Sequence, residues 1–138
     1  MKRLIFCLIS FLFSVLPLCA QASGEQGAPE ISIPEFKLDI GETPFRSDTT
    51  FVYHFPFQNI GTAPLTIIRV MAGCPCVSVS YPDDPVLPGQ VDTIVVRFTP
   101  TRAGRFTQRV AVISNAKEGS LKQLYAKATL LRAPANRD

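Results

Sequence analysis

The chain contains no tryptophan, one histidine (His54) and four cysteines among 138 residues. A sandwich of antibody type packs a core Trp on an inter-sheet disulfide, so that variant is excluded. A single His falls short of the His-rich clusters that build zinc centres. No Gly-rich phosphate loop, H-E-x-x-H pair or serine-nucleophile elbow occurs. Beyond residue 30 no stretch shows convincing helical spacing.

Charge of one sign is also scarce once the N-terminus is read. The chain opens Met1-Lys2-Arg3 and continues from Leu4 to Ala20 without a charge. A basic start, a short apolar run and the small-residue pattern Ala20-Gln21-Ala22 make a secretory signal, residues 1–22, cleaved before Ser23. The apolar run is at the lower limit for spanning a bilayer, and no basic stop signal follows it. A lipoprotein reading would acylate Cys19, but Leu18 is bulky where such sites want a small residue. Removal of residues 1–22 leaves 116 residues, with 12 Lys and Arg against 11 Asp and Glu, a net charge of +1. A chain of this size buries about two-thirds of its unfolded surface and needs no metal to fold. So small a charge excludes a general nucleic-acid binder. It also leaves no transmembrane span in the mature chain.

Residues 23–30, "SGEQGAPE", are small and polar and read as a linker. From Ile31 onward, short runs of β-branched and aromatic residues are broken by Pro, Gly, Asn and Asp. Seven strands are expected, at 31–40, 49–59, 65–71, 76–81, 91–99, 106–114 and 121–132. In the second, Phe51, Tyr53, Phe55 and Phe57 share one face and His54 the other. Ile94, Val96 and Phe98 in the fifth, and Leu124, Ala126, Ala128 and Leu130 in the seventh, form matching inward rows. Pro34 and Pro56 within runs imply strands with an exposed edge there. This spacing describes one all-β domain, residues 31–132, folded as an immunoglobulin-like β-sandwich, with a loose tail at 133–138.

With Cys7 and Cys19 in the signal, only Cys74 and Cys76 remain, around Pro75. An exported chain meets an oxidising compartment, where thiols tend to pair. In a flat strand these Cα atoms would be about 6.5 Å apart, near the upper limit for a disulfide. Pro75 either bends the segment enough for closure or prevents it. Three readings stand: small buried cysteines, with or without a local disulfide; thiol–disulfide exchange; and a soft metal such as Cu(I) held by two thiolates.

Other candidates have simpler explanations. Asp83 and Asp84, between prolines, read as a solvated turn. Arg97, Arg102, Arg105 and Arg109 gather around an expected hairpin between the fifth and sixth strands. Arg102, Arg105 and Arg109 form a possible anion-contact patch, although charge guarding an exposed edge explains them as well. Asp48-Thr49-Thr50 and Asp92-Thr93-Ile94 resemble the short Asp-Ser/Thr-apolar acceptor of a periplasmic O-glycosylation system, with Thr49 and Thr93 as acceptors.

Phe55, Phe57, Asn59 and Gly61; Pro64, Leu65 and Ile67; Cys74 and Cys76; Pro88 and Gly89; Phe98; Gly104 and Phe106; Ser114 and Asn115 together carry a resemblance. Phe55 to Ala116 resembles the secreted bacterial family known as domain of unknown function 1573, and Phe36 to Gly41 matches its entry strand. The family usually has Cys-Gly-Cys where Pro75 stands here. The resemblance implies an immunoglobulin-like sandwich, related to modules of ciliary and sperm proteins, and brings no established activity. The expectation is an exported binding or architectural module of the cell envelope, not an enzyme, with no cofactor. Its expected partner is an unidentified envelope protein or glycan. The alternative is a thiol-redox or copper-handling protein using Cys74 and Cys76.

Overall fold

The computed structural model describes residues 27–132. The signal, Cys7, Cys19, most of the linker and the tail lie outside the described residues. Eight strands form two four-stranded sheets: β1 Ile31–Ser32, β2 Lys37–Pro44, β3 Phe51–Asn59, β4 Ile67–Ala72, β5 Val77–Ser80, β6 Val91–Phe98, β7 Gly104–Ser114 and β8 Leu121–Leu131. One sheet has the order β1-β3-β6-β5 and the other β2-β8-β7-β4. All neighbours run antiparallel except β2, which lies parallel to β8.

The period-two alternation holds. Phe55, Phe57 and Phe98 are fully buried, as are Ile94, Val96, Val110, Val112 and Leu124, and these rows fill the space between the sheets. The Phe98 ring packs on Phe51 and Phe106, with centroids 6.5 and 5.1 Å away. Tyr53 crosses the layer, and its hydroxyl donates to the Lys127 carbonyl oxygen on β8 at 3.0 Å. Burial, and secondarily the Asp39 carboxylate, push its pKa from 10.0 up to about 12.

Two expectations are corrected. The first expected strand is two strands in different sheets: the chain leaves β1 at Ile33-Pro34 and re-enters as β2. Proline here marks a change of sheet, which fixes no ladder partner on either side. The expected hairpin between β6 and β7 is a crossing, because β6 belongs to one sheet and β7 to the other. Gly104, at φ 144°, is where the chain turns into β7. Pro56 fits its expected edge: β1 covers only Asn59 and Gln58 of β3, so Pro56 removes no ladder bond on that side.

The Asn59-Ile60-Gly61 turn is a clamp. The Asn59 side chain is fully buried. Its amide donates to the carbonyls of Ala63 and Val86, both at 2.8 Å. Its Oδ1 accepts from Gly61 N at 3.0 Å and Glu30 N at 3.5 Å. Gly61 has no room for a Cβ, which would collide with the Ala28 carbonyl and the Glu30 amide. Asn115 makes a second clamp, accepting from Thr66 N at 2.8 Å and donating to the Pro64 carbonyl at 3.2 Å. Gly89, at φ 82°, completes the Pro-Gly turn and donates its N–H to the Asn59 carbonyl.

Candidate functional site: the open flank at β4 and β5

The two flanks of the sandwich are built alike, each from one chain segment that changes sheet. On one flank β1 and β2 are the edge strands; on the other they are β5 and β4. The turn between β4 and β5 is Gly73-Cys74-Pro75-Cys76. The Val77 N–H donates to the Cys74 carbonyl at 3.1 Å, closing a four-residue turn with proline second, where its fixed φ suits it. This turn brings the Cα atoms of Cys74 and Cys76 to 5.2 Å, and their sulfurs are joined. Both cysteines are half-buried against the core, and Cys76 belongs to the turn, not to the strand that was expected to begin there.

Backbone alternation shows what β4 and β5 offer. Gly73 N donates to the Arg109 carbonyl on β7, so Gly73, Met71 and Arg69 address β7. By alternation, Val70 and Ala72 turn their N–H and C=O groups away from the sheet. On β5, Thr99 N donates to the Cys76 carbonyl, which makes Val79 the outward-facing residue. Between these two edges runs a groove of about 440 Å³, lined by Val70, Ala72, Cys74, Pro75, Val77 and Val79. The Cys74–Cys76 turn closes one end, and the Leu65–Val86 bridge lies toward the other.

The arginines regroup around this flank. β4 covers β7 only from Arg109 to Ser114, so Arg105 lies on an uncovered stretch of β7, as an edge-guarding charge would, while Arg109 lies where β4 covers the strand. Arg102 is in the crossing loop and Arg105 stands opposite Thr129, while Arg109 is about 13 Å further along β7. The expected trio therefore does not converge. Arg109 lies opposite Gly73 and shares an outer-face hollow with Met71, Ala72 and Gly73 of the β4 edge. Arg69 is exposed on the same outer face, and Arg97 stands opposite Ser78 at the β5 edge. No Asp or Glu occurs in β4, β5 or β7. Among the described residues the one ion pair is Arg46–Asp48, remote from these groups in sequence and fully solvated. Sequence reasoning missed Arg69 and the β4 edge; the absence of acid and proline from "IIRVMA" was the available signal.

The remaining candidates stay apart. His54 is exposed on the outer face of β3, and β6 separates that strand from β5. Asp83 and Asp84 are exposed in the β5–β6 loop. Thr49 is half-buried in the loop before β3, and Thr93 is half-buried on β6, opposite Pro56. No group of three or more His, Cys, Asp or Glu comes together among the described residues. No helix of the described residues is long and apolar enough to cross a membrane.

Comparison with known proteins agrees with this architecture. A family described as a protein of unknown function (DUF1573) matches residues 31–130. No curated protein matches. A protein of unknown function from Porphyromonas gingivalis W83 superposes with a TM-score of 0.62 at 19% identity, covering 75% of this chain and 47% of that one. This chain thus spans about half the length of that protein. A PapD-like domain of human CEP192 gives a TM-score of 0.62 at 10% identity, covering 78% and 89%. The periplasmic chaperone SfaE gives 0.56 at 5% identity, covering 76% and 60%. At these identities the likeness is one of fold, and the fold is an immunoglobulin-like, PapD-like β-sandwich.

Proposed function

This chain belongs to the DUF1573 family, and from that premise we propose that it is an exported binding or architectural module of the bacterial cell envelope, without catalytic chemistry. The observation that carries this reading is the open flank: two edge strands with outward backbone groups, and an apolar groove between them. Exposed strand edges are templates for pairing with another chain, and proteins normally blunt them. Leaving one unblunted fits a module that binds through it. The periplasmic chaperone among the fold neighbours supports an exported location. So does the N-terminal pattern of basic start, apolar run and Ala-x-Ala. Thr49 and Thr93 are the proposed sites of any added sugar, and an envelope protein or glycan is the proposed partner.

The thiol-redox or copper alternative gains no support. The two sulfurs are joined to each other, and among the described residues no third His, Cys, Asp or Glu groups with them. The decisive experiment is the double substitution Cys74→Ser/Cys76→Ser in the natively exported protein. A binding module keeps its partner in pull-down and loses only some stability. Complete loss of function with the fold intact would overturn the proposal in favour of sulfur chemistry. Intact-mass analysis of the same protein tests the signal, which should be absent through residue 22, and reports any sugar.

A further inference from the structure

We propose that the β4 edge receives one extended peptide segment in which apolar and acidic residues alternate. This rests on the binding-module reading and names the chemistry of its partner.

Three features of the flank define the occupant. First, the free hydrogen-bonding groups of Val70 and Ala72 are two residues apart on one strand, the repeat that an added strand requires. β4 is six residues long against four for β5, so it offers the longer template. Second, an added strand on β4 alternates its side chains between two environments. One row enters the groove over Val70, Ala72, Val77 and Val79, and must be apolar. The other row lies on the outer face beside Arg69, Met71 and Arg109. Third, among the described residues neither guanidinium has a carboxylate within ion-pair distance, and none of β4, β5 and β7 supplies one. Acidic residues at the outer positions complete that arrangement.

A second copy of this chain is the less suitable occupant. Antiparallel pairing of β4 with β4 would place both Arg69 side chains on one outer face beside the seam, with Arg109 of each copy one strand further in and no acid between them, and like charges across a pairing are destabilising. The opposite flank lacks the same opportunity. Its hollow, about 370 Å³, lies where Ile33 and Phe36 cross between the sheets, and the adjoining β1 is only two residues long. The long edge there, β2, carries a bulge between Asp39 and Glu42, Gly41 at φ 78°, and the charges of Lys37, Asp39 and Glu42. Those are the devices that discourage strand addition, and they lie in the middle of β2, whereas the register shift of β4 lies at its start, between Ile67 and Arg69, ahead of Val70 and Ala72.

The test uses two capped synthetic decapeptides, one alternating valine with glutamate and one alternating valine with lysine. Each is titrated into the isotope-labelled mature protein and followed by amide NMR shifts and calorimetry. The glutamate peptide should bind at least about tenfold more tightly than the lysine peptide, with the Val70 and Ala72 amides shifting and gaining protection. Ala72→Pro removes an outward N–H and should abolish binding. Arg69→Glu/Arg109→Glu alters only exposed side chains, keeps the fold, and should reverse the preference between the peptides. Equal affinity for the two peptides, shifts confined to β2, or unchanged preference in the double arginine variant would overturn the inference, as would self-association through β4 without peptide. Envelope-partner capture that survives both variants also overturns it, and leaves the binding-module reading intact. That reading itself fails separately, if the wild-type protein turns over a thiol–disulfide substrate or binds Cu(I) and the double-serine variant does neither.

Discussion

The two flanks share a design and differ in how completely it is closed. On the β1–β2 flank the segment that leads into β1 is held from several sides: Glu30 N donates to Asn59 Oδ1, Ile60 N and Thr62 N donate to the Glu30 and Ala28 carbonyls, and Lys117 N donates to the Pro29 carbonyl. Its long edge is bulged and charged. On the β4–β5 flank the corresponding change of sheet is a four-residue turn tied by one bridge, and the edges it joins enclose an apolar groove and turn the backbone groups of Val70, Ala72 and Val79 outward. One side of the molecule is finished by its own N-terminal segment; the other ends in hydrogen-bonding groups and an apolar groove.

The sharpest way to break this contrast is at the closed flank. Asn59→Ala leaves the Ala63 carbonyl and the Gly61 and Glu30 amides without their side-chain partner in a largely buried setting, while the Val86 carbonyl keeps Leu65 N. It should cost about 3 to 4 kcal/mol in urea unfolding. A loss below about 1 kcal/mol would show that the clamp does not hold that flank. At the open flank, proline scanning reads the backbone directly. Met71→Pro removes an N–H directed at β7 and should cost about 2 to 3 kcal/mol. Ala72→Pro removes one directed outward and should cost under about 1 kcal/mol. Reversed or equal costs would mean that the edge faces the other way.

Tyr53 ties the layers together beside β2, and its effect depends on pH. Below pH 10 its hydroxyl is protonated whether the chain is folded or not. Between 10 and about 12 the unfolded chain releases this proton while the folded one retains it, so stability falls as pH rises through that window. The loss should reach about 2 kcal/mol. Tyr53→Phe should abolish this alkaline decline and cost about 1 kcal/mol at neutral pH, the value of the lost bond to Lys127. The bridge has a modest effect. A disulfide closing so short a loop constrains the unfolded chain little, so Cys74→Ser/Cys76→Ser should cost about 1 to 2 kcal/mol.

What was legible in the sequence was whatever depends on local period. Phe51 to Phe57, Ile94 to Phe98 and Leu124 to Leu130 each declare an inward face within a few residues, so the sandwich and its core follow from them. What was not legible depends on pairing over long separations. Pro34 breaks a run whether the chain stays in one sheet or changes sheets. The five residues from Thr99 to Ala103 suit a hairpin as well as a crossing. The arginine trio was grouped by closeness in sequence, whereas Arg109 and Arg69, forty residues apart, share the outer face of the β7–β4 pair, Arg109 opposite Gly73 and Arg69 opposite Ile113. The edge status of β4 is likewise a property of the whole sheet order. It could not be read from "IIRVMA", although that strand's lack of proline and acid was visible.

The account stands or falls on whether β4 is a free edge in the isolated protein. Amide hydrogen exchange measured residue by residue across Arg69 to Gly73 addresses this directly. The prediction is that Met71 and Gly73 exchange slowly, while Val70 and Ala72 exchange at nearly the rate of an unstructured chain until the glutamate–valine peptide is added. Protection of Val70 and Ala72 in the protein alone would contradict it, because the edge would then already be covered.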